Sequence, residues 1–586
     1  MNNLDKFLEY LQEVRLDAFM LNSRDEFLDE FTPDYLNRLK LLTGFTGSNG
    51  TAIISKDHKA FFTDGRYTEQ AGNELDERFV IYDSSQISIK KWIAKNFNAK
   101  SKIGYDSKTF TASEVRKTNK FLQSYDIKLY RVANNPVDSL LGVSYPESQK
   151  IEMLGLEYTG LSAKEKIKNN SFIANLTGKQ GFFTCDTTSI CWLLNIRGRD
   201  TEYTPLLHSY FIYNKRISFL FCDLKKLTDE HKEYFSSLKI EVKDIKEVSS
   251  FSNLCKEHKI KQVYLDPNTV GYYFYSSLNK QQIEIIKISD PIIAQKAIKN
   301  DIEIEGVRKA HIIDGAAKTK FLYWLSENQD LSQLDEISIA DKLLSFRKEH
   351  EEFCFPSFNT ISAFAENGSI IHYNASNKTN KKLSHDSLLL LDSGGQYKYG
   401  TTDITRTIAI GEGIKAEHKR NYTLVLKGHI SLAMAVFPYK TTGIQLDTLA
   451  RQYLWQEFKD YNHGTGHGIG SFLNVHEGPQ SIGKNYNGVG LKAGMVLSNE
   501  PGLYVPNQYG IRIENVVLVC AEAEGFLSFE TISLVPLEEK LIDFSLLSDK
   551  EKSWLKNYHQ KIYDKLSSTL PVEIQEWLLN KIKLYC

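Results

Sequence analysis

The chain lacks any apolar run near the roughly 18 residues that a membrane-crossing helix needs, so no membrane span and no membrane partner are expected. It lacks a regular cysteine framework: its seven cysteines (Cys185, Cys191, Cys222, Cys255, Cys354, Cys520 and Cys586) are odd in number and scattered. That usage fits a reducing, cytoplasmic setting and not a disulfide scaffold. It lacks an excess of one charge, since 72 basic against 73 acidic residues leave −1, and no field of one sign draws it to nucleic acid or acidic lipid. Low-complexity segments are absent too. The opening stretch MNNLDKFLEYLQEVRLDAFML has acids among its apolar residues and no continuous apolar centre. It predicts an amphipathic helix with Leu4, Phe7, Leu8 and Leu11 on one face, not a signal peptide.

What is present is enough sequence for three ordinary domains, 586 residues, and a 41% apolar, 12% aromatic composition able to build real cores. The first segment alternates helix-like and strand-like stretches around DAFMLNS, TAIISKDHKAFFTDGRY and SKIGYDSKT, up to a break at Asn134-Asn135-Pro136. The second repeats the style with SICWLLNI, SYFIYNKRISFLFCDL and KQVYLDPNT. Asp64 and Asp223 each follow an apolar strand, and Asp106 and Asp266 follow them by 42 and 43 residues. The spacing suggests two copies of one α/β unit. From Asp290-Pro291 a charged helical stretch begins, with Ala310, Ile313, Ala317, Phe321 and Leu325 on its apolar face. A second helix, SIADKLLSFRKEH, strand-rich islands and a helical tail, DKEKSWLKNYHQKIYDKL, complete an α+β third segment.

Four islands carry the chemistry: LLLLDSGGQYKYGTTDITRT (388–407), NHGTGHGIGSFLNVHEGP (462–479), VLSNEPG (496–502) and GIRIENVV (510–517). Asp392 ends an apolar run, and Asp403 lies 11 residues on, past a Gly-Gly break, where a returning strand would bring the two together. Taken singly, each reads more readily as a turn or an exposed strand aspartate. His463 and His467 have the four-residue spacing of a helical zinc pair, but four interleaved glycines oppose a helix and Gly464 stands where that motif needs Glu. The glycines are read instead as allowing close backbone approach, since no strand–loop–helix context with a lysine supports a phosphate cradle. Glu500 follows a strand, and Arg512 and Glu514 share one face of the next, which VVLVC continues as a buried strand. Unpaired carboxylates are costly on such apolar runs. Two Asp, two Glu and a His, without thiolate, suit Mn²⁺, Co²⁺ or Fe²⁺, and four carboxylates match two dications, which bridging carboxylates would hold roughly 3.5–4 Å apart.

In order and content these islands resemble the pita-bread metallopeptidases, and within them the three-domain Xaa-Pro aminopeptidases. SIIHYNAS adds an upstream histidine, His372; TGFTGSNGTAII and FTDGRYTEQA are similar to the first domain of that family, WLLNIRGRDTEYTPLLHSY to its second, and DKEKSWLKNYH to its C-terminal extension. The resemblance implies two creatinase-like α/β domains, 1–134 and 135–292, then a pita-bread catalytic domain, 293–586, with a helical extension. It implies two divalent metals, foremost Mn²⁺ with Co²⁺ or Zn²⁺ as substitutes: Asp392 on one, His467 and Glu500 on the other, Asp403 and Glu514 bridging. It further implies His372, His463 and His476 on the substrate side, Arg66 and Arg512 as substrate-binding residues, a homodimer, and peptides with proline in second position as substrates. The expected chemistry is attack on the first carbonyl by a hydroxide bridging the metals, with His372 and His476 on the oxyanion and Glu500 carrying the proton. The rival readings are a prolidase restricted to Xaa-Pro dipeptides and a non-catalytic pita-bread binding protein. All five ligand positions being filled counts against the latter.

Overall fold

The structure is a computed structural model that describes residues 3–143, 147–328 and 330–584, so Cys586 lies outside the described residues. The chain forms two compact units, Met1–Gln295 and Lys296–Cys586.

The first unit holds two six-stranded sheets. Strands β1 (Ala18–Asn22), β2 (Thr51–Ser55), β3 (Lys59–Thr63), β4 (Val80–Asp83), β5 (Lys102–Asp106) and β6 (Lys128–Val132) stand in the order β4-β3-β2-β1-β5-β6. Helices bury both faces. Phe19, Leu21, Ile54 and Phe61 pack against Leu4, Phe7 and Leu11 of the helix Asn3–Glu13, while Met20, Ile53 and Phe62 pack against Trp92, Ile93 and Val115. With no wet face, these strands read as continuous apolar runs instead of alternating ones.

The second sheet, β7 (Gln180–Thr184), β8 (Tyr210–Tyr213), β9 (Ser218–Cys222), β10 (Ile240–Asp244), β11 (Gln262–Leu265) and β12 (Glu284–Lys287), has the order β10-β9-β8-β7-β11-β12. In each sheet the central hairpins are antiparallel and the outer pairs parallel, in matching positions. Asp64 and Asp223 follow the corresponding strands β3 and β9, Asp106 closes β5 and Asp266 follows β11, so the suspected repeat is present as topology. SICWLLNI supplies most of a helix, Thr187–Leu193, because Asp186 caps it at Ser189 N. Val137, in a helix Pro136–Leu141 capped by Asn135, joins the core of Leu4 and Phe7.

The second unit begins on the 27-residue helix Asp301–Glu327, where Asn300 and Glu303 form a reciprocal cap and the expected apolar face is buried. Strands β13 (Ile361–Phe364), β14 (Ser387–Ser393) and β15 (Ile404–Ile410) make an antiparallel sheet centred on β14. A six-stranded antiparallel sheet uses β16 (Val436–Pro438), β17 (Gly466–Gly468), β18 (Glu477–Ile482), β19 (Val496–Asn499), β22 (Asn515–Ala521) and β23 (Phe526–Thr531), ordered β16-β23-β22-β19-β17-β18; β20 (Gly502–Val505) and β21 (Tyr509–Arg512) form a hairpin between. The final helices Asp549–Leu566 and Val572–Lys583 bury Leu555, Ile562, Ile574 and Leu578 against this unit's main core. GIRIENVV is not one strand. It breaks at Ile513-Glu514, because Ile513 N donates to Pro501 O and Glu514 N to Thr405 O, and the chain passes from one sheet to the other there.

Candidate metal centre

The break at Glu514 builds the site. Asp392 pairs with Thr405 across β14 and β15, and Thr405 Oγ1 donates to Glu514 Oε2 at 2.8 Å. Asn499 and Asn515 pair across β19 and β22, which puts Glu500 and Glu514 at the same end of that sheet. Glu500 N donates to Thr465 O, tying its turn to the glycine-rich loop that leads into His467. The glycine alternation has the purpose assigned to it at Gly466, where a Cβ would run into the Ser498 carbonyl. His463 stands in the loop and His467 in a three-residue strand, not on a helix.

Donor atoms of Asp392, Asp403 and Glu514 lie within 4.8 Å of one another, as do those of His467, Glu500 and Glu514, and those of Asp403, His467 and His476. His467 Nδ1 donates to the Gly468 carbonyl at 3.0 Å, which turns Nε2 toward Asp403 Oδ2 (3.4 Å) and Glu500 Oε1 (3.5 Å). Asp392 Oδ1 and Asp403 Oδ1 are buried and accept no hydrogen bond. Burial, then the charges of Asp403, Asp392 and Glu500, push the Glu514 carboxyl well above its ordinary range. Burial pushes His467 down, but its hydrogen bond to Asp403 and the charge of Glu500 outweigh it and lift the imidazole to about 9. A buried cluster of four carboxylates with orphaned oxygens is what divalent cations would neutralise, so the donor set fits two of them.

Around these donors lies a layer that, Arg512 apart, no motif in the sequence singles out. Arg406 is buried and donates to Glu514 O (2.7 Å), Pro536 O (2.9 Å) and Val535 O (2.6 Å), and to Asn515 Oδ1 and Tyr558 Oη. Lys318 reaches Ser393 Oγ and the Ile404 carbonyl, between the two aspartates. Arg451 spans Asp447 and the carbonyls of Tyr461 and His463. Arg512, 2% exposed, donates to Asp392 Oδ2 (2.8 Å) and Tyr504 Oη (2.6 Å), and Tyr504 meets His463 Nε2 at 2.9 Å. The ring of His476 stands edge-on to His467 at 4.3 Å. His372 occupies the loop after the turn Ala365–Ser369, and Arg66, in the first unit, is held by Asp64 at the edge of a cavity of about 560 Å³.

Profiles of known families match the chain end to end: "Creatinase/Prolidase N-terminal domain" at 3–133 and 144–303, "Metallopeptidase family M24" at 305–521, and its C-terminal region at 525–585. A "Probable Xaa-Pro aminopeptidase P" of Sordaria macrospora is 37% identical, with 97% of each chain covered. The chain belongs to metallopeptidase family M24. Its structure superimposes on the crystal structure of X-prolyl aminopeptidase from Caenorhabditis elegans, described as a cytosolic enzyme with a di-nuclear active site, with TM-score 0.93, 33% identity, and 99% and 98% of the two chains covered. An Xaa-Pro dipeptidase from Bacillus anthracis, 26% identical with TM-score 0.53, is covered over 99% of its length but covers only 64% of this chain. The expected fold class, creatinase-type α/β domains followed by the M24 catalytic fold, is therefore established. No helix among the described residues is long and apolar enough to cross a membrane.

The protonation of the M24 centre sets a pH dependence. His467 keeps in the folded state a proton that the unfolded chain releases above 6.5, and Glu514 one released above 4.5. A folded state binding more protons loses stability as pH rises. The chelated protein is thus expected to melt progressively lower from about pH 5 to about pH 9. Divalent-metal binding needs both groups deprotonated, so the gain in Tm on adding Mn²⁺ should widen over the same range. Scanning fluorimetry with and without chelator checks this, and a gap independent of pH contradicts it.

Proposed function

We propose that this M24 protein is a metal-dependent aminopeptidase that hydrolyses the bond between the first residue of a peptide and a proline in second position. The convergence of Asp392, Asp403, His467, Glu500 and Glu514, with two orphaned carboxylate oxygens, carries the reading. Its similarity to relatives of that name supports it over a dipeptidase or a non-catalytic relative. Asp392 would hold one divalent ion, His467 and Glu500 a second, and Asp403 and Glu514 would serve both, with Mn²⁺ preferred and Co²⁺ or Zn²⁺ able to substitute. Such a pair supplies an acidified water and an electrophile for the amide carbonyl.

The chain's own groups do the rest. Glu500 stands between His467 and His463, 3.8 Å from the latter, where it can carry a proton from the nucleophile to the departing proline nitrogen. His372, His463 and His476 line the substrate side and hydrogen-bond the peptide carbonyls, with Tyr504 fixing the His463 ring. Arg512 acts through Asp392 and Tyr504, orienting both. In the same reading the domains divide as 1–134, 135–292 and 293–586, the enzyme is cytoplasmic, and it pairs as a homodimer in which Arg66 approaches the partner's site.

Chelation should abolish hydrolysis of Arg-Pro-Pro, and Mn²⁺ should restore it. His467→Ala should lose bound metal, whereas His372→Ala and His476→Ala should keep it while kcat falls. Full activity after chelation would sink the reading. Equal metal loss in all three variants would instead make His476 and His372 ligands, a choice that the grouping of His476 with Asp403 and His467 makes worth testing.

A further inference from the structure

The first unit holds a second cluster of metal-type donors, with no part in the M24 centre. Asp25 and Asp29 lie in the loop after β1, and His208 lies two residues before β8, so the three come from different repeats, 179 and 183 residues apart along the chain. All are buried, with Asp25 at 0%, His208 at 5% and Asp29 at 7% exposure. Each carboxylate has one oxygen occupied: Asp25 Oδ1 accepts from Phe27 N at 2.9 Å, and Asp29 Oδ1 from Thr187 Oγ1 at 2.6 Å. The remaining atoms, Asp25 Oδ2, Asp29 Oδ2 and His208 Nε2, are buried, turned toward one another, and have no hydrogen-bond partner outside the cluster among the described residues. They fall within 4.8 Å, with Nε2 at 3.4 Å from Asp29 and 3.9 Å from Asp25.

A protonated histidine bridging two aspartates would close on them to about 2.7–2.9 Å, the length of a charge-assisted hydrogen bond. The observed spacing is longer: the 3.4 Å between His208 and Asp29 is that of two donors sharing an ion, since ligands about 2.0–2.2 Å from a tetrahedral zinc stand roughly 3.3–3.5 Å apart, and Asp25 at 3.9 Å stands slightly outside it. The surroundings are prepared for a cation. The Phe27 ring stacks on His208 at 4.1 Å and fixes its plane, while His208 N donates to Asp200. Arg38 is held by Glu26 and Asp138, and Lys226 by Asp200.

We propose that Asp25, Asp29 and His208 form a structural site for one divalent transition-metal ion, Zn²⁺ by its mixed carboxylate–imidazole donors, that staples the first α/β repeat to the second. Imidazole disfavours Mg²⁺ and Ca²⁺, which take oxygen donors. Thr187, at the start of a helix of the second repeat, holds Asp29 from behind in the manner of a supporting hydrogen bond to a ligand.

The test is zinc stoichiometry on the full chain. Protein stripped with chelator, re-equilibrated with Zn²⁺ and freed of loose metal is expected to carry one more equivalent than His208→Phe or Asp29→Ser treated alike. Both variants should keep their hydrolysis of Arg-Pro-Pro, and zinc should raise their Tm less than it raises that of the parent. In a chain with Asp403→Asn and Glu514→Gln, one equivalent should remain, and adding His208→Phe should remove it, which separates this site from the M24 centre. Equal zinc content with and without His208→Phe overturns the proposal. Should the variants not fold, anomalous scattering at the zinc edge from crystals of the parent decides: a peak between the three side chains supports the site, and its absence there overturns it.

Discussion

Glu514→Gln is expected to cut kcat/KM for Arg-Pro-Pro by about three orders of magnitude, roughly 4 kcal/mol of transition-state stabilisation. The change keeps the shape of the side chain and its hydrogen bond from Thr405, but removes the charge shared between both donor groups of the centre. Because the Glu514 carboxyl is destabilised as an anion by burial and by three neighbouring carboxylates, the same change should stabilise the metal-free fold while destroying activity. A more stable, metal-poor, inactive protein is the expected result. An active Glu514→Gln protein would mean that the cluster is not the seat of the chemistry.

Arg406→Met is expected to cost about 3–5 kcal/mol of stability, since each buried acceptor left without its donor costs about 1–3 kcal/mol. Arg406 donates to carbonyls on both sides of the site, at Glu514 and at Val535 and Pro536, and to Asn515 and Tyr558. A methionine fills the volume but leaves those acceptors buried and unpaired. The backbone at Glu514 would then be free to shift, so metal affinity should fall together with the denaturation midpoint in urea. A variant within about 1 kcal/mol of the parent would show that this network does not hold the two sheets in register.

The donors were legible because a carboxylate on an apolar, glycine-broken run is costly unless a cation offsets it, and four such runs occur in order. The repeat was legible because Asp64 and Asp223 punctuate matching strands. The supporting layer was not. Arg406 in TTDITRT looks like any solvent-facing strand residue, and its partners are backbone carbonyls up to 130 residues away that no side-chain pattern announces. Tyr504 and Arg512 likewise meet His463 and Asp392 only after the β20–β21 hairpin folds. The break in GIRIENVV was hidden because Ile513 and Val516 are equally apolar; what ends the strand is the competing acceptor at Pro501. Asp25, Asp29 and His208 gave no metal signal: His208 lies in WLLNIRGRDTEYTPLLHSY but neither aspartate lies in a motif, and the two repeats must pack before the three meet.

The central claim is that this centre cleaves before a second-position proline in peptides longer than two residues. The most direct measurement is kcat/KM for Arg-Pro-Pro, Arg-Pro and Arg-Ala-Pro side by side, on one Mn²⁺-loaded preparation. A site extended past the proline is expected to position the scissile bond through remote contacts, so Arg-Pro-Pro should be the best substrate, Arg-Pro clearly poorer and Arg-Ala-Pro nearly inert. A preference for Arg-Pro would make the protein a dipeptidase, and good turnover of Arg-Ala-Pro would contradict the account altogether.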